Sequence, residues 1–248
     1  WAVVLIAALG LVGYAAMKVA GTRRGALLMG LLGGLISSTG VAVSASRASQ
    51  NAPGAALPLA SAIATAQAVM FVRTGVLISA LNASLLDHAL LPLVLGASTA
   101  IAGALLVTYL AGKTEQPDKL DAGSPDALNA AIKFIAVVAI VLVLAHYAQM
   151  VAGEWGLILA GLLSGAVDVD AATVSASRLT GTQAHEASLA AGAAAIAVAI
   201  AANSFVKSGI AFSLGTRALA FPAAAVLGAS GIAAIIGAGV SYLMFVPK

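Results

Sequence analysis

The residues best suited to chemistry are two aspartates in a stretch that is otherwise apolar enough for a lipid bilayer. Asp168 and Asp170 lie in "GLLSGAVDVDAATVSASR", residues 161–178. An ionised carboxylate near mid-bilayer is costly unless it is paired, hydrated or bound to a metal. Hard cations such as magnesium prefer oxygen ligands of this kind. We therefore predict that Asp168 and Asp170 bind a metal ion or another cation.

The spacing of the two aspartates sets a condition on the helix that carries them. Residues two apart on a regular helix point about 200° away from each other, so they cannot share one ligand. Gly and Ser in the same stretch permit a helix break, and broken helices near the midplane of repeat proteins form ion or substrate sites. We expect a break here; a buried structural salt bridge is the alternative.

A second copy of this stretch occurs earlier in the chain. "GLLGGLISSTGVAVSASR", residues 30–47, aligns with it without gaps and is identical at nine of eighteen positions. "FVRTG" at residues 71–75 corresponds in the same way to "FVKSG" at 205–209. The sequence therefore predicts two four-span repeats, residues 1–112 and 127–248, joined by a polar linker at 113–126.

The alignment places hydroxyls where the second repeat has acids. Ser37 takes the position of Asp168, and Thr39 takes that of Asp170. We therefore expect an ion or substrate site where the two repeats meet. Its predicted residues are Ser37, Ser38, Thr39, Asp168, Asp170, Thr173 and Asn203.

Two basic residues also occupy matching positions inside their spans. Arg73 in "FVRTG" corresponds to Lys207 in "FVKSG". They are predicted to act as a counter-charge or gate for the aspartates, and an anion pathway lined by both is a further alternative. The simplest reading is that each long side chain extends to the nearer membrane interface.

Composition fixes the class of protein. The chain has 248 residues, of which 61% are hydrophobic and 8% charged, whereas soluble domains carry about a quarter charged residues. The apolar runs do not alternate as barrel strands do, so we predict an all-α integral membrane protein of about eight transmembrane helices. The expected spans lie near residues 1–19, 25–46, 55–81, 88–112, 129–151, 156–177, 186–213 and 218–245.

The same composition bears on partners and chemistry. The expected partner is the lipid bilayer, and the small net charge of +3 gives no reason to expect nucleic acid. Small residues along most spans are compatible with a homodimer. No phosphate loop, metal-protease helix or nucleophile elbow is present, so we predict no enzyme. No cofactor is expected beyond a bound magnesium or other cation.

The direction of the repeats depends on the second span of each. Repeats with four full spans would be parallel, because each would enter and leave the membrane on the same side. If the second span turned back on itself, the repeats would be inverted. The basic residues at the span ends are too evenly distributed to choose an orientation.

Four motifs resemble one known family. They are "LLGGLISSTGVAVSASR", "MFVRTGV", "LLSGAVDVDAATVSASR" and "AANSFVKSGIAFSLG", in this order over nearly the whole chain. They are similar to the domain of unknown function 4010, a membrane family of bacteria and archaea that is often fused behind an MgtC/SapB-type domain. The resemblance implies a cytoplasmic-membrane protein with a transport or magnesium-linked role, and such an upstream domain before Trp1.

These observations favour a membrane transporter or channel for a small ion. A cation such as magnesium is preferred, because the site supplies oxygen ligands. The alternatives are a regulatory or binding membrane protein that transports nothing, and an anion pathway at Arg73 and Lys207.

Overall fold

The computed structural model describes residues 2–112, 156–181 and 186–245. Helices account for nearly all of these residues, and no strand occurs among them, which confirms the predicted helical fold for this part of the chain. The elements are α1 (Ala2–Asn51), a short 3-10 turn (Pro53–Ala55), α2 (Ala56–Leu81), α3 (Ala83–Leu110), α4 (Gly156–Val167), α5 (Val169–Thr180), α6 (Glu186–Leu214) and α7 (Arg217–Phe245).

Five helices in the described ranges are long and apolar enough to cross a membrane. They lie within α1, α2 with the turn before it, α3, α6 and α7. This confirms the coarser prediction of an integral membrane protein. The predicted span at 129–151 and the linker at 113–126 lie outside the described residues, so the count of eight stays a prediction.

Helix α1 contains two residues without helical backbone angles. Gly21 has φ 78° and ψ 162°, and Ser37 has φ −159° and ψ 107°. Gly21 is in the region of positive φ that glycine adopts without strain. These two positions divide α1 into segments α1a (2–20), α1b (22–36) and α1c (38–51).

At Gly21 the chain reverses direction. Gly25 packs closely against the backbone of Met17, and Gly13 packs against Met29. In each pair one residue precedes Gly21 and the other follows it by the same number of positions. Segments α1a and α1b therefore run antiparallel. This turn separates the first two predicted spans.

A second reversal occurs at Ser37. Gly30 packs against Ala62, and Gly34 packs one turn further along α2, so α1b runs parallel to α2. Segment α1c nevertheless connects to the start of α2 through only the short turn Pro53–Ala55. It must therefore run back alongside α1b. We call α1b and α1c the first hairpin.

Helices α4 and α5 repeat this arrangement. Gly161 packs against Ala195, and Gly165 packs one turn further along α6, so α4 runs parallel to α6. Thr180, at the end of α5, packs against Gly192, which lies before Ala195 in α6. Helix α5 therefore runs back alongside α4. We call α4 and α5 the second hairpin.

The described residues divide into two compact units. Unit 1 takes residues 2–70, 99–112 and 207–227, and unit 2 takes residues 71–98, 156–181, 186–206 and 228–245. Unit 1 contains the first hairpin, and unit 2 contains the second. Each unit includes residues from both predicted repeats.

Within unit 2 the long helices alternate in direction. Gly96 in α3 packs against Phe71 in α2, and a single residue connects these two helices, so they form an antiparallel pair. Helices α6 and α7 form another, with Gly231 against Ala201.

The two pairs meet through α3 and α7. Gly237 packs against Pro92, and Ser241 Oγ donates a hydrogen bond of 2.7 Å to the carbonyl of His88. From the first contact to the second, the chain advances in α7, from Gly237 to Ser241, and goes back in α3, from Pro92 to His88. These helices are therefore antiparallel. It follows that α2 and α6 run in opposite directions.

Candidate functional site

Asp168 forms the turn of the second hairpin. Its backbone is extended, with φ −154° and ψ 120°, between the end of α4 and the start of α5. Its Oδ1 accepts a hydrogen bond of 3.1 Å from the backbone N–H of Asp170. This is the geometry of a helix N-cap, for which aspartate is among the preferred residues. The side chain itself is exposed.

Asp170 lies in the first turn of α5 and forms an ion pair with Arg73 of α2. Arg73 Nε donates to Asp170 Oδ1 at 3.2 Å, and Nη2 lies 2.8 Å from Oδ2. The side chains are 21% and 29% exposed, respectively. A guanidinium that contacts both carboxylate oxygens fixes orientation as well as charge. Arg73 is thus held at the tip of the second hairpin.

Ser37 gives the first hairpin the same backbone turn. Its Oγ accepts a hydrogen bond of 3.0 Å from the N–H of Gly40, so it caps α1c as Asp168 caps α5. The two turns fall at aligned positions of the predicted repeats. Serine and aspartate are both good N-caps, so the local fold accepts either residue.

Lys207 of α6 contacts the tip of the first hairpin within unit 1. Its side chain is fully enclosed, at 1% exposure, and its Nζ donates to Ser38 Oγ at 2.8 Å. Nζ also donates to Gln67 Oε1 at 2.9 Å and lies 3.3 Å from Met70 Sδ. These three partners are neutral. The ammonium of Lys207 is thus enclosed by protein.

The far end of the second hairpin is held by Asn82, the residue between α2 and α3. Its Nδ2 lies 3.3 Å from the carbonyl of Ser177, 3.1 Å from Thr180 Oγ1 and 2.9 Å from the carbonyl of Gly181. These oxygens lie at the end of α5, where helix carbonyls lack partners within the helix. Asn82 therefore fixes the second hairpin to α2.

The first hairpin has a corresponding contact in unit 1. The N–H of Thr216, between α6 and α7, donates to Ser49 Oγ at 3.0 Å. Ser49 lies near the end of α1c. Each hairpin is thus held at its tip by a basic side chain of one long helix. Its far end is held by a residue of the short connection that follows that helix.

The other predicted site residues are placed as follows. Thr173 is fully buried and its hydroxyl donates to the carbonyl of Val169 at 2.8 Å. Asn203 is 2% exposed on α6, and Thr39 is half-buried in the first turn of α1c. The contacts described here bring Arg73 to Asp170 and Lys207 to Ser38.

The residues that the structure describes contain no group of three or more His, Cys, Asp or Glu side chains able to hold a metal ion. Asp168 and Asp170 supply two carboxylates at one hairpin tip, one of them paired with Arg73. A cation there would need further oxygen ligands from hydroxyls, carbonyls or water. Cation binding at these aspartates therefore stays a prediction.

Two residues that contact Lys207, Gln67 and Met70, were not identified from the sequence. Gln67 is fully buried in α2, in the apolar stretch "ASAIATAQAVM". A lone amide inside an apolar span six residues before Arg73 is a signal that could have identified it. Met70 carries no such signal, because methionine is common in apolar helices.

The fold and the two hairpin tips define a class: a helical membrane protein with two helical hairpins, each contacted at its tip by a basic side chain. A family model, "Domain of unknown function (DUF4010)", matches residues 4–215. The chain belongs to this family, as the sequence motifs predicted. None of the curated proteins matches the chain, and no solved structure does. The upstream MgtC/SapB-type domain stays a prediction.

Proposed function

We propose that this protein is a membrane transporter for a small ion, with its ion site at the hairpin tips. The observation that carries the proposal is the pair of helical hairpins that turn at Ser37 and Asp168, each tip contacted by a basic residue of the other predicted repeat. Non-helical backbone inside a membrane is tolerated only where protein or a water-filled cavity surrounds it. Such turns are therefore natural ion-binding positions.

The direction of the helices supports the same proposal. If the chain is a tandem duplication, α2 corresponds to α6, and these two helices run in opposite directions. The repeats would then be inverted, with both hairpins re-entrant rather than spanning. Inverted repeats with discontinuous helices are a common construction of secondary transporters, because exchange of the two repeat conformations gives alternating access.

The favoured substrate of the second hairpin is a cation such as magnesium. Asp168 and Asp170 would bind it with help from hydroxyl groups, and Arg73 would hold Asp170 when no cation is bound. Arginine and a cation would then compete for one carboxylate. This competition gives the ion pair the role of a gate.

Ion flux into proteoliposomes tests the proposal. We expect the native protein to move magnesium, or another small cation, down an imposed gradient, measured with an indicator dye trapped inside. Asp168→Asn and Asp170→Asn should each lower the rate by about tenfold or more, because each removes a charge near the ion. Arg73→Ala should raise ungated leak, because Asp170 loses its counter-charge.

Asp87→Asn is the matched control, since Asp87 is an exposed aspartate near the start of α3, and its flux should equal that of the native protein. Absence of flux for every ion offered would refute transport. Full flux in both Asp168→Asn and Asp170→Asn would refute the site and leave transport standing.

A non-transporting binding or regulatory protein is the second candidate. The direct bond between Asp170 and Arg73 favours it, because an ion pair of this kind can lock α5 to α2 without any part in ion movement. Under this proposal Asp170→Asn lowers the stability, because it breaks the ion pair with Arg73, and no variant alters ion flux, because the protein moves no ions. The same flux experiment therefore separates the two candidates.

A further inference from the structure

Exposed basic side chains surround the first turn of unit 1. Lys18, Arg23 and Arg24 lie within three residues of Gly21, where α1a ends and α1b begins, and all three are exposed. Arg217, the first residue of α7, is exposed in the same unit. Every charged side chain among the described residues of unit 1 is basic.

Packing brings the turn and the start of α7 to the same end of unit 1. Segment α1b runs parallel to α2, and the reversal at Ser37 returns α1c towards the level at which α1b began. The N–H of Thr216 donates to Ser49 Oγ at 3.0 Å, near the end of α1c, so Arg217 lies at this end as well. The half-buried Arg47 belongs to the same last part of α1c. We call these residues the basic end: Lys18, Arg23, Arg24, Arg47 and Arg217.

Tyrosines at the basic end indicate the depth of the lipid headgroups. Lys18 Nζ lies 5.6 Å from the centre of the Tyr14 ring. The close approach of Gly103 to Val226 puts the end of α3 beside the start of α7, and Tyr109 in that part of α3 is 75% exposed. Tyrosine is enriched where a membrane meets water. The basic side chains are therefore at a depth where lipid phosphates lie.

The hairpin changes the distribution of charge that straight spans would give. A straight second span would carry Arg47 away from Arg23, whereas the reversal at Ser37 returns it to the same end. In unit 2 the described residues around Asn82 include one exposed base, Arg178, and one exposed acid, Asp87. The excess of positive charge among the described residues therefore belongs to the basic end.

We propose that the basic end binds the headgroups of anionic phospholipids in the cytoplasmic leaflet. Lys and Arg clustered beside a span are attracted to anionic headgroups, and a guanidinium can donate two hydrogen bonds to one phosphate. An excess of Lys and Arg also distinguishes the cytoplasmic side of membrane proteins. The first hairpin then enters the membrane from the cytoplasm. The inference does not depend on ion transport, because the basic end includes none of the proposed ion-site residues.

Thermal unfolding of the purified full chain in detergent tests the lipid partner. Phosphatidylglycerol, an anionic lipid, should raise the unfolding midpoint, whereas the same amount of zwitterionic phosphatidylcholine should not. Each basic residue strengthens binding to an anionic surface by about fivefold. The triple variant Lys18→Gln, Arg23→Gln, Arg24→Gln should therefore raise the half-saturating amount of phosphatidylglycerol by about a hundredfold.

Matched variants show whether the charge at this place is responsible. Arg24→Gln alone should raise the half-saturating amount about fivefold, whereas Arg178→Gln, which removes an exposed arginine of unit 2, should leave it unchanged. The unfolding midpoint of each variant in phosphatidylcholine shows that it folds. The inference is overturned if the two lipids act alike, if inorganic phosphate gives the same shift as phosphatidylglycerol, or if the triple variant responds as the native protein does.

Labelling from one side tests the leaflet. Gln50 and Ala83 are exposed and lie before and after α2, a helix long enough to cross the membrane. In sealed right-side-out vesicles an impermeant maleimide should label Ala83→Cys and leave Gln50→Cys unlabelled, and the reverse pattern would overturn the inference. Neither experiment measures flux. Absence of ion flux therefore refutes transport alone, and a failed lipid response leaves transport standing.

Discussion

At the scale of single residues, the two aspartates have different tasks. Asp168 caps a helix with its side chain exposed, whereas Asp170 pairs with Arg73. The capping role could have been predicted, because aspartate directly before an amphipathic stretch is a helix-start signal. The partner of Asp170 was named only as one of two bases, since sequence gives no distance between residues 97 positions apart.

The capping role makes a prediction at Asp168 itself. Asparagine caps a helix about as well as aspartate, whereas alanine loses about 1 kcal/mol. Thermal unfolding in detergent should therefore show Asp168→Asn close to the native protein and Asp168→Ala less stable. Ser37→Ala should be destabilised similarly, for the same reason. Equal stability of Asp168→Ala and the native protein would contradict the capping role.

At the scale of helices, hydropathy located the segments but not the two hairpins. A hairpin of two 12-residue helices, such as α4 and α5, has the length and composition of one straight span. The Gly- and Ser-rich motifs allowed a break at Ser37 and Asp168. They could not show a reversal, because that depends on packing against α2 and α6, which lie elsewhere in the sequence.

Cross-linking tests the reversal in the second hairpin. A Cβ placed on Gly192 would lie 3.7 Å from the Cβ of Thr180, a separation that suits a disulfide. The native chain has no cysteine, so Thr180→Cys with Gly192→Cys should give one disulfide on mild oxidation, seen as protection from a maleimide reagent. A straight span would carry Thr180 towards the end of α6 and would instead cross-link with Leu214→Cys.

At the scale of the whole molecule, the question is whether the predicted repeats are parallel or inverted. The sequence left this open because it depends on whether the second span of each repeat crosses the membrane. The helix directions in unit 2 favour inversion, since α2 and α6 are antiparallel. The helical class and the family were both predictable, because hydropathy and motif order need no tertiary information.

Labelling from one side of the membrane tests the inversion. Ala83 and Arg217 are the first residues of α3 and α7, and both are exposed. If the repeats are inverted, Ala83→Cys and Arg217→Cys should react with an impermeant maleimide from opposite faces of a sealed vesicle. Labelling of both from the same face would mean that the repeats are parallel.

The hairpin contacts also set an order of assembly during synthesis. When α5 is made, its partner Arg73 has already been inserted, 97 residues earlier. Ser38 must instead wait for Lys207, which follows 169 residues later. A chain stopped after residue 181 should therefore hold its first hairpin loosely and lose it to protease. The first hairpin is thus completed after the second one, although it leaves the ribosome earlier.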